Sequence, residues 1–252
     1  MVIGVIALYM VSAIAYLYTL FTRRRTLLYV GLAALILGFA LHTVKMGLYY
    51  ASTDDHGWAA WLSSLSWAIA FLYLGVVLRY REMTLGGLAV PAAFVLEGYA
   101  ASVPGAGAHE VQGFLIAGHI VLAMLSMGAF FLLFGASLMY IVQARELKSK
   151  RPGAWLHRLP SLDVLDDLNH KILYFGFAFL TMSLFLGSMW ARAKHGTFWS
   201  LDPLKTYPLV VIWIGYALLL VSRLTRSWKG RRSAIFSMIS FVAVLLAIIV
   251  HF

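Results

Sequence analysis

The chain has no cysteine, and only 12% of its 252 residues are charged. The absence of cysteine excludes disulfide bonds, thiolate metal sites and cysteine nucleophiles. A soluble domain normally has about 25% charged residues and about 45–50% apolar residues. In this chain 62% of the residues are hydrophobic and the mean hydropathy is +0.85. This composition excludes a soluble globular enzyme, a disordered chain and a fibrous protein.

What the sequence does have is a series of long apolar runs. A helix needs about 20 consecutive apolar residues to cross the hydrocarbon core of a bilayer. The candidate spans are residues 2–21, 27–50, 61–78, 85–101, 111–142, 172–190, 204–221 and 233–251. The sequence therefore predicts an all-α protein, a polytopic integral membrane helical bundle of about eight transmembrane helices. We expect a single membrane domain over residues 1–252.

Basic residues are distributed unevenly between the two sides of this predicted bundle. Sixteen of the twenty Lys and Arg residues fall in the connections that follow the first, third, fifth and seventh spans. Cytoplasmic connections of membrane proteins carry an excess of Lys and Arg. The distribution predicts a multi-pass protein of the cell (inner or cytoplasmic) membrane, with both termini on the extracytoplasmic side. We expect the functional face on that side as well. The distribution also accounts for the net charge of +10 without a nucleic-acid partner.

Six of the eight histidines lie on or near the predicted outer side. His119 lies one to two turns inside the fifth span and His251 lies at the end of the eighth, so the topology gives them a similar membrane depth. Two such histidines can serve as axial ligands of one haem iron, whereas the spacing does not favour zinc. His42 and His195 are the second choices. The alternative, a histidine that only forms packing hydrogen bonds, stays open.

The connection between the sixth and seventh spans is rich in aromatic and charged side chains. Residues 190–203 contain two Trp, one Phe, one His, two cations and one Asp. One interpretation is an aromatic belt at the membrane interface. The other is a platform for a flat apolar ligand with carboxylates, on which Trp190 and Trp199 stack while Arg192, Lys194 or Lys205 meets the acid groups.

Glu97 is an ionisable residue near the outer end of the fourth span. Ionisable side chains are costly inside a bilayer and tend to mark functional sites. A structural hydrogen bond is the simpler interpretation, and a proton relay is the alternative.

From about residue 159 onward the sequence resembles the cytochrome c assembly family. The resemblance is carried by Leu-Pro-Ser-Leu-Asp-Val-Leu-Asp-Asp-Leu at 159–168, Gly-Ser-Met-Trp-Ala at 187–191 and Gly-Thr-Phe-Trp-Ser-Leu-Asp-Pro at 196–203. Within the family the chain is most similar to CcsA/ResC-type haem-handling proteins and their HemX-like relatives. The resemblance implies a tryptophan-rich "WWD" platform at the outer face, here at residues 190–207.

The resemblance also implies a set of ligand-binding residues and partners. Trp190, Trp199 and Asp202 would hold haem b as the ligand or substrate, and His119 and His251 would ligate its iron. The implied function is cytochrome c biogenesis, in which haem is held for attachment to apocytochrome c beside a ResB/CcsB-type membrane partner. At most, the chain would then be one component of a cytochrome c haem lyase.

Several positions depart from the family pattern. His195 and Tyr207 stand where members with synthase activity have the first and last tryptophan of the platform motif, and Leu204-Lys205 stands in place of Lys-Glu. Leu201 stands where members with synthase activity have a tryptophan, and Val221 stands where the family often has a histidine. These departures bear on covalent haem attachment more than on haem binding. Two other functions therefore stay open: a HemX-like membrane regulator or scaffold of tetrapyrrole metabolism without haem ligation, and a small-molecule transporter.

Overall fold

The computed structural model describes residues 1–22, 25–52, 57–103, 113–149, 159–198, 203–225 and 230–251. Over these ranges the chain forms the helices α1 (Val2–Thr22), α2 (Arg25–Ser52), α3 (Trp58–Tyr80), α4 (Gly86–Ser102), α5 (Phe114–Lys148), α6 (Leu162–His195), α7 (Pro203–Leu224) and α8 (Arg231–His251). The predicted all-α class is thus confirmed.

In the described parts of the chain, six helices are long and apolar enough to cross a membrane: α1, α2, α3, α5, α6 and α7. Helix α4 has 17 residues, fewer than the roughly 20 that a bilayer core requires. The chain is therefore a multi-pass membrane protein. The count of eight transmembrane crossings and the side of the termini stay predictions.

The helices form two compact units, residues 1–112 and 113–252. In the first unit, α1 packs against α2 and α4, and α3 packs against α2 and α4. In the second unit, α5 packs against α6 and α8, and α7 packs against the same two helices. The single domain over residues 1–252 stays a prediction.

Small side chains allow the helices of the first unit to approach closely. Helix α3 buries a run of small residues, among them Ser66 and Ala70, and α4 buries Ala89 and Ala93. The Ser66 hydroxyl donates to the Ala93 carbonyl oxygen at 2.8 Å. Small residues at interfaces, with hydroxyl hydrogen bonds between helices, are typical of packing inside membranes.

Helix α6 has 34 residues and extends beyond its predicted membrane span. It begins after Ser161, whose Oγ accepts from the Val164 backbone N–H at 3.4 Å, and it ends at Gly196 in the left-handed conformation with φ of 76°. The sequence predicts a membrane span over residues 172–190 and, before it, an interfacial helix over residues 161–171, in which Leu162, Leu165 and Leu168 recur at helical spacing and Ser161 can cap. In the structure the two form one continuous helix. The helix continues to Leu162 because Leu165 and Leu168 extend its buried face by two more turns. Helix α6 therefore contains most of the segment at 159–168 near its start and Trp190 near its end.

An ion pair ties α7 and α8 to the first turns of α6. The Arg223 guanidinium donates from Nη1 to Asp166 Oδ1 at 2.7 Å and from Nη2 to the Asp166 carbonyl oxygen at 3.1 Å. The backbone N–H of Gly230 donates to the same Oδ1 at 3.2 Å. Asp166 therefore holds the end of α7 and the start of α8 at the same place.

Candidate functional site

His119 joins α5 to α6 through hydrogen bonds with one residue. Its Nδ1 lies 2.8 Å from the Ser183 carbonyl oxygen, and the Ser183 hydroxyl lies 3.0 Å from both Nδ1 and the His119 carbonyl oxygen. A carbonyl oxygen can only accept, so Nδ1 carries the hydrogen and donates it. The lone pair of the ring is consequently on Nε2. No hydrogen bond to Nε2 is present among the described residues.

Gly187 lets the His119 ring lie directly against the backbone of α6. A Cβ atom at position 187 would lie 2.8 Å from His119 Nδ1 and 3.0 Å from Cε1. Atoms that are not hydrogen-bonded do not approach so closely, so any larger residue at 187 must displace the ring or the helix. The position of His119 therefore depends on a glycine as well as on a hydrogen bond.

One face of α6 carries both the contacts of His119 and the first tryptophan of the predicted platform. Ser183, Gly187 and Trp190 are spaced four and three residues apart, which places them in one row along the helix. Trp190 is half-buried and lies one turn beyond Gly187. The fold thus brings His119 and Trp190, two residues predicted from the sequence, to the same side of α6.

The last turn of α6 holds cations against aromatic rings. Lys194 Nζ lies 5.2 Å from the centre of the Trp190 ring, and Arg192 Cζ lies 4.4 Å from the centre of the Phe198 ring. Both distances are in the range of cation–π contacts, about 6 Å or less. His195 meets the edge of Trp190 at 5.8 Å between ring centres and an interplanar angle of 88°. The rings hold both cationic side chains in place. Because both side chains are also exposed, they can bind an anion.

The remaining predicted platform and iron-ligand residues lie at the limits of the described structure. Trp199 and Asp202 lie outside the described residues. His251 is the last residue of α8, and its side chain is not among those described. The roles predicted for these three residues stay predictions.

His42, a second-choice iron ligand, has partners at both ring nitrogens. Nδ1 lies 3.1 Å from the Tyr9 hydroxyl, and Nε2 lies 2.9 Å from the Ser63 hydroxyl and 3.3 Å from Glu97 Oε2. The side chain is fully buried. An iron atom would have to displace one of these bonds. This bonding favours a packing role for His42 over iron ligation.

The partners of His42 were not identified as a group from the sequence. Lys45 Nζ donates to Glu97 Oε1 and to the Ser63 hydroxyl at 2.8 Å, and that hydroxyl donates to Glu97 Oε2 at 2.7 Å. A signal was present, since Lys45 and Glu97 place opposite charges in two different predicted spans. Such charges usually pair with one another.

Comparison with known proteins gives one consistent result. A family model described as cytochrome C assembly protein matches residues 2–251. A cytochrome c biogenesis protein CcsA of Trieres chinensis is 26% identical over 216 residues, which cover 71% of this chain and 68% of the relative. The CcsA of Chlamydomonas reinhardtii is 27% identical over 193 residues, which cover 73% and 53% respectively.

A third relative is more similar over a shorter stretch. The CcsA of Gloeothece citriformis is 38% identical over 96 residues, which make up 38% of this chain and 29% of the relative. The matched segments therefore amount to between 29% and 68% of the relatives' own lengths.

Proposed function

Because this chain belongs to the cytochrome c assembly protein family, we propose that it is a membrane haem-binding protein of cytochrome c biogenesis. It holds haem b, as ligand or substrate, at the outer membrane face for attachment to apocytochrome c. The observation that carries this proposal is the hydrogen bonding of His119, in which Nδ1 is fixed to Ser183 and Nε2 keeps its lone pair.

The donor chemistry at His119 fits a haem iron. A histidine that binds a metal almost always donates its other ring N–H to a carbonyl, a carboxylate or water, which sets the tautomer and the ring orientation. The Ser183 carbonyl oxygen does this for His119 at 2.8 Å. Trp190 adds an indole face two turns beyond Ser183 along α6, and we propose His251 as the second iron ligand.

The platform residues have separate parts in this proposal. Trp190 and Trp199 stack on the flat ring, while Arg192 and Lys194 meet its carboxylates and so set its rotation in the site. Asp202 belongs to the same platform. When haem is bound, it supplies vinyl groups to which the cysteine thiols of an apocytochrome Cys-x-x-Cys-His motif add. The chain's own contribution is binding and orientation, and no side chain needs to act as a general acid or base.

The departures at Leu201 and Val221 favour a second candidate function. Val221 is 55% exposed on α7, and a valine cannot ligate iron. A HemX-like membrane regulator or scaffold of tetrapyrrole metabolism would need neither of the missing family residues. We therefore propose that the chain has weak or absent haem-attachment activity by itself and requires a ResB/CcsB-type partner. Robust attachment to a reporter cytochrome by this chain alone, in a host without its own assembly system, would contradict that part of the proposal.

The visible absorption spectrum of the detergent-purified chain tests haem binding. We expect a Soret band with split α and β bands, whereas a colourless protein would favour the transporter. His119→Ala should lower haem occupancy or convert a low-spin spectrum to a high-spin one, and added imidazole should restore it. His170→Ala is the matched control, because His170 lies on α6 in the same unit, more than three turns before Ser183.

The orientation of the chain is part of the same proposal and has its own test. Reporter fusions after Arg81 and Arg226 should report the cytoplasm, and fusions after Thr53 and Phe252 should report the outside. External labelling at Arg226 would reverse the orientation and remove the outer-face site. If His119→Ala and His251→Ala both keep the wild-type spectrum, the iron ligands lie elsewhere, and His195 is then the next to replace.

A further inference from the structure

Five polar side chains from four helices of the first unit form one continuous hydrogen-bonded network. They are Tyr9 of α1, His42 and Lys45 of α2, Ser63 of α3 and Glu97 of α4. Of these helices, α1, α2 and α3 are long and apolar enough to cross a membrane. This five-residue network has no part in the haem site proposed above.

The hydrogens of the network are all directed toward Glu97. Lys45 can only donate, and it does so to Glu97 Oε1 and to Ser63 Oγ. Ser63 uses its single hydrogen on Glu97 Oε2 and therefore accepts from His42 Nε2 at 2.9 Å. The Nδ1 atom of His42 is then free to accept from the Tyr9 hydroxyl at 3.1 Å. The chain of donors ends on one carboxylate.

Only one member of the network reaches the surface of the unit. The side chains of Glu97 and His42 are 0% exposed, whereas that of Lys45 is 18% exposed. Tyr9 and Ser63 are buried as well. Lys45 is therefore the member of the network that is most accessible from the surroundings of the unit.

We infer that the five-residue network is a proton-binding site inside the membrane, with Glu97 as the acceptor and Lys45 as the point of exchange. A single ammonium would be enough to neutralise Glu97, yet a hydroxyl and an imidazole also converge on it. These extra partners keep either protonation state of the carboxyl hydrogen-bonded. Ionisable groups are costly inside a membrane, and chains of Glu and His are characteristic of proton paths there.

The exchange step balances in protons and charge. The Lys45 N–H bond breaks and an O–H bond forms at Glu97 Oε1, so that a neutral amine faces a neutral acid. The exposed amine then takes up one proton from outside, and the net charge of the pair rises from zero to plus one. Among the described residues, the other titratable groups that face Glu97 are His42 from α2 and Tyr9 from α1, while α3 contributes the Ser63 hydroxyl.

The test uses the full chain in lipid nanodiscs, with infrared difference spectra between two pH values and proton uptake followed by a pH-sensitive dye. The wild type should show the C=O band of a protonated carboxyl group together with proton uptake. Glu97→Gln should lose both signals. The control Glu82→Gln should keep both, because Glu82 lies in the connection between α3 and α4 and accepts from the Thr84 backbone N–H.

Lys45→Arg separates a proton site from a structural ion pair. Arginine keeps the positive charge beside Glu97 but does not release its proton in proteins, so uptake should be lost while the helix content is kept. This variant decides the question even where Glu97→Gln fails to fold. Proton uptake by Lys45→Arg at the wild-type level would overturn the role of Lys45. A wild type without the carboxyl band, or Glu97→Gln with it, would overturn the site.

Discussion

In the first unit the buried His42 has a partner at each ring nitrogen, whereas in the second unit His119 has its described partners at Nδ1 alone. The difference follows from what surrounds each ring. His42 lies among Tyr9, Ser63 and Glu97, which together offer both donors and acceptors. His119 lies against a carbonyl oxygen and the bare backbone of Gly187. A histidine with hydrogen bonds at both ring nitrogens, like His42, suits a closed polar network. A histidine with hydrogen bonds at one ring nitrogen, like His119, can bind a metal through the other.

The ion pairs of the two units differ in how deeply the carboxylate is buried. Replacing their cations should have the largest effect on the free energy of unfolding. Glu97 is 0% exposed, whereas Asp166 is 31% exposed and also accepts from Gly230. Lys45→Met should lower the free energy of unfolding by roughly 3–5 kcal/mol, because it leaves a buried carboxylate without its counter-ion. Arg223→Met should lower it by about 1 kcal/mol, since Asp166 still reaches the surface. Unfolding titrations in mixed micelles measure both, and equal losses would remove the contrast between the units.

His42→Ala tests whether His42 and His119 differ in function. It should lower the free energy of unfolding by roughly 1–3 kcal/mol, because the Tyr9 and Ser63 hydroxyls each lose a buried partner. The haem spectrum of the folded protein should stay that of the wild type, in contrast to His119→Ala. A His42→Ala protein that folds but shows a changed spectrum would return His42 to the list of iron ligands.

Two glycines of α6 sharpen the comparison within the second unit. A Cβ at Gly187 would lie 2.8 Å from His119 Nδ1, and a Cβ at Gly176 would lie 2.9 Å from Phe130 Cε1. Either alanine should cost roughly 1–3 kcal/mol of stability through overpacking. Only Gly187→Ala should also alter the haem spectrum, because only that change moves the His119 ring. A spectral change of the same size in Gly176→Ala would show that general strain in α6 is responsible.

The smallest expected effect is that of Trp190→Ala on haem affinity. Stacking on an indole contributes about 0.5–1.5 kcal/mol beyond the burial of area. Haem affinity should therefore fall by about tenfold or less, since 1.4 kcal/mol corresponds to tenfold. Titration of the haem-free protein measures this, with Trp213→Ala as the control, because Trp213 lies on α7 and donates to Thr181. An equal loss in both variants would argue against a platform at Trp190.

Much of the fold follows from local sequence. Apolar runs with few charges dictate membrane helices, since a bilayer leaves a backbone no partner except its own. Ser161 begins α6 and Gly196 ends it, as side-chain capping and a left-handed glycine require. At α6 the sequence predicts a membrane span and a separate interfacial helix before it, whereas the structure joins the two into one helix. The reason is that Leu165 and Leu168 are buried on the same face as the apolar residues that follow.

The hydrogen bonds that distinguish the two histidines were decided by the tertiary structure alone. His119 meets a residue 64 positions away, Tyr9 meets His42 across 33 positions, and Lys45 meets Glu97 across 52. The sequence by itself determined that ionisable residues stand inside membrane helices, and it selected His119 and Trp190 as candidates. It does not determine which ring nitrogen is left with a lone pair, because that depends on which atoms of a distant helix face the ring after packing.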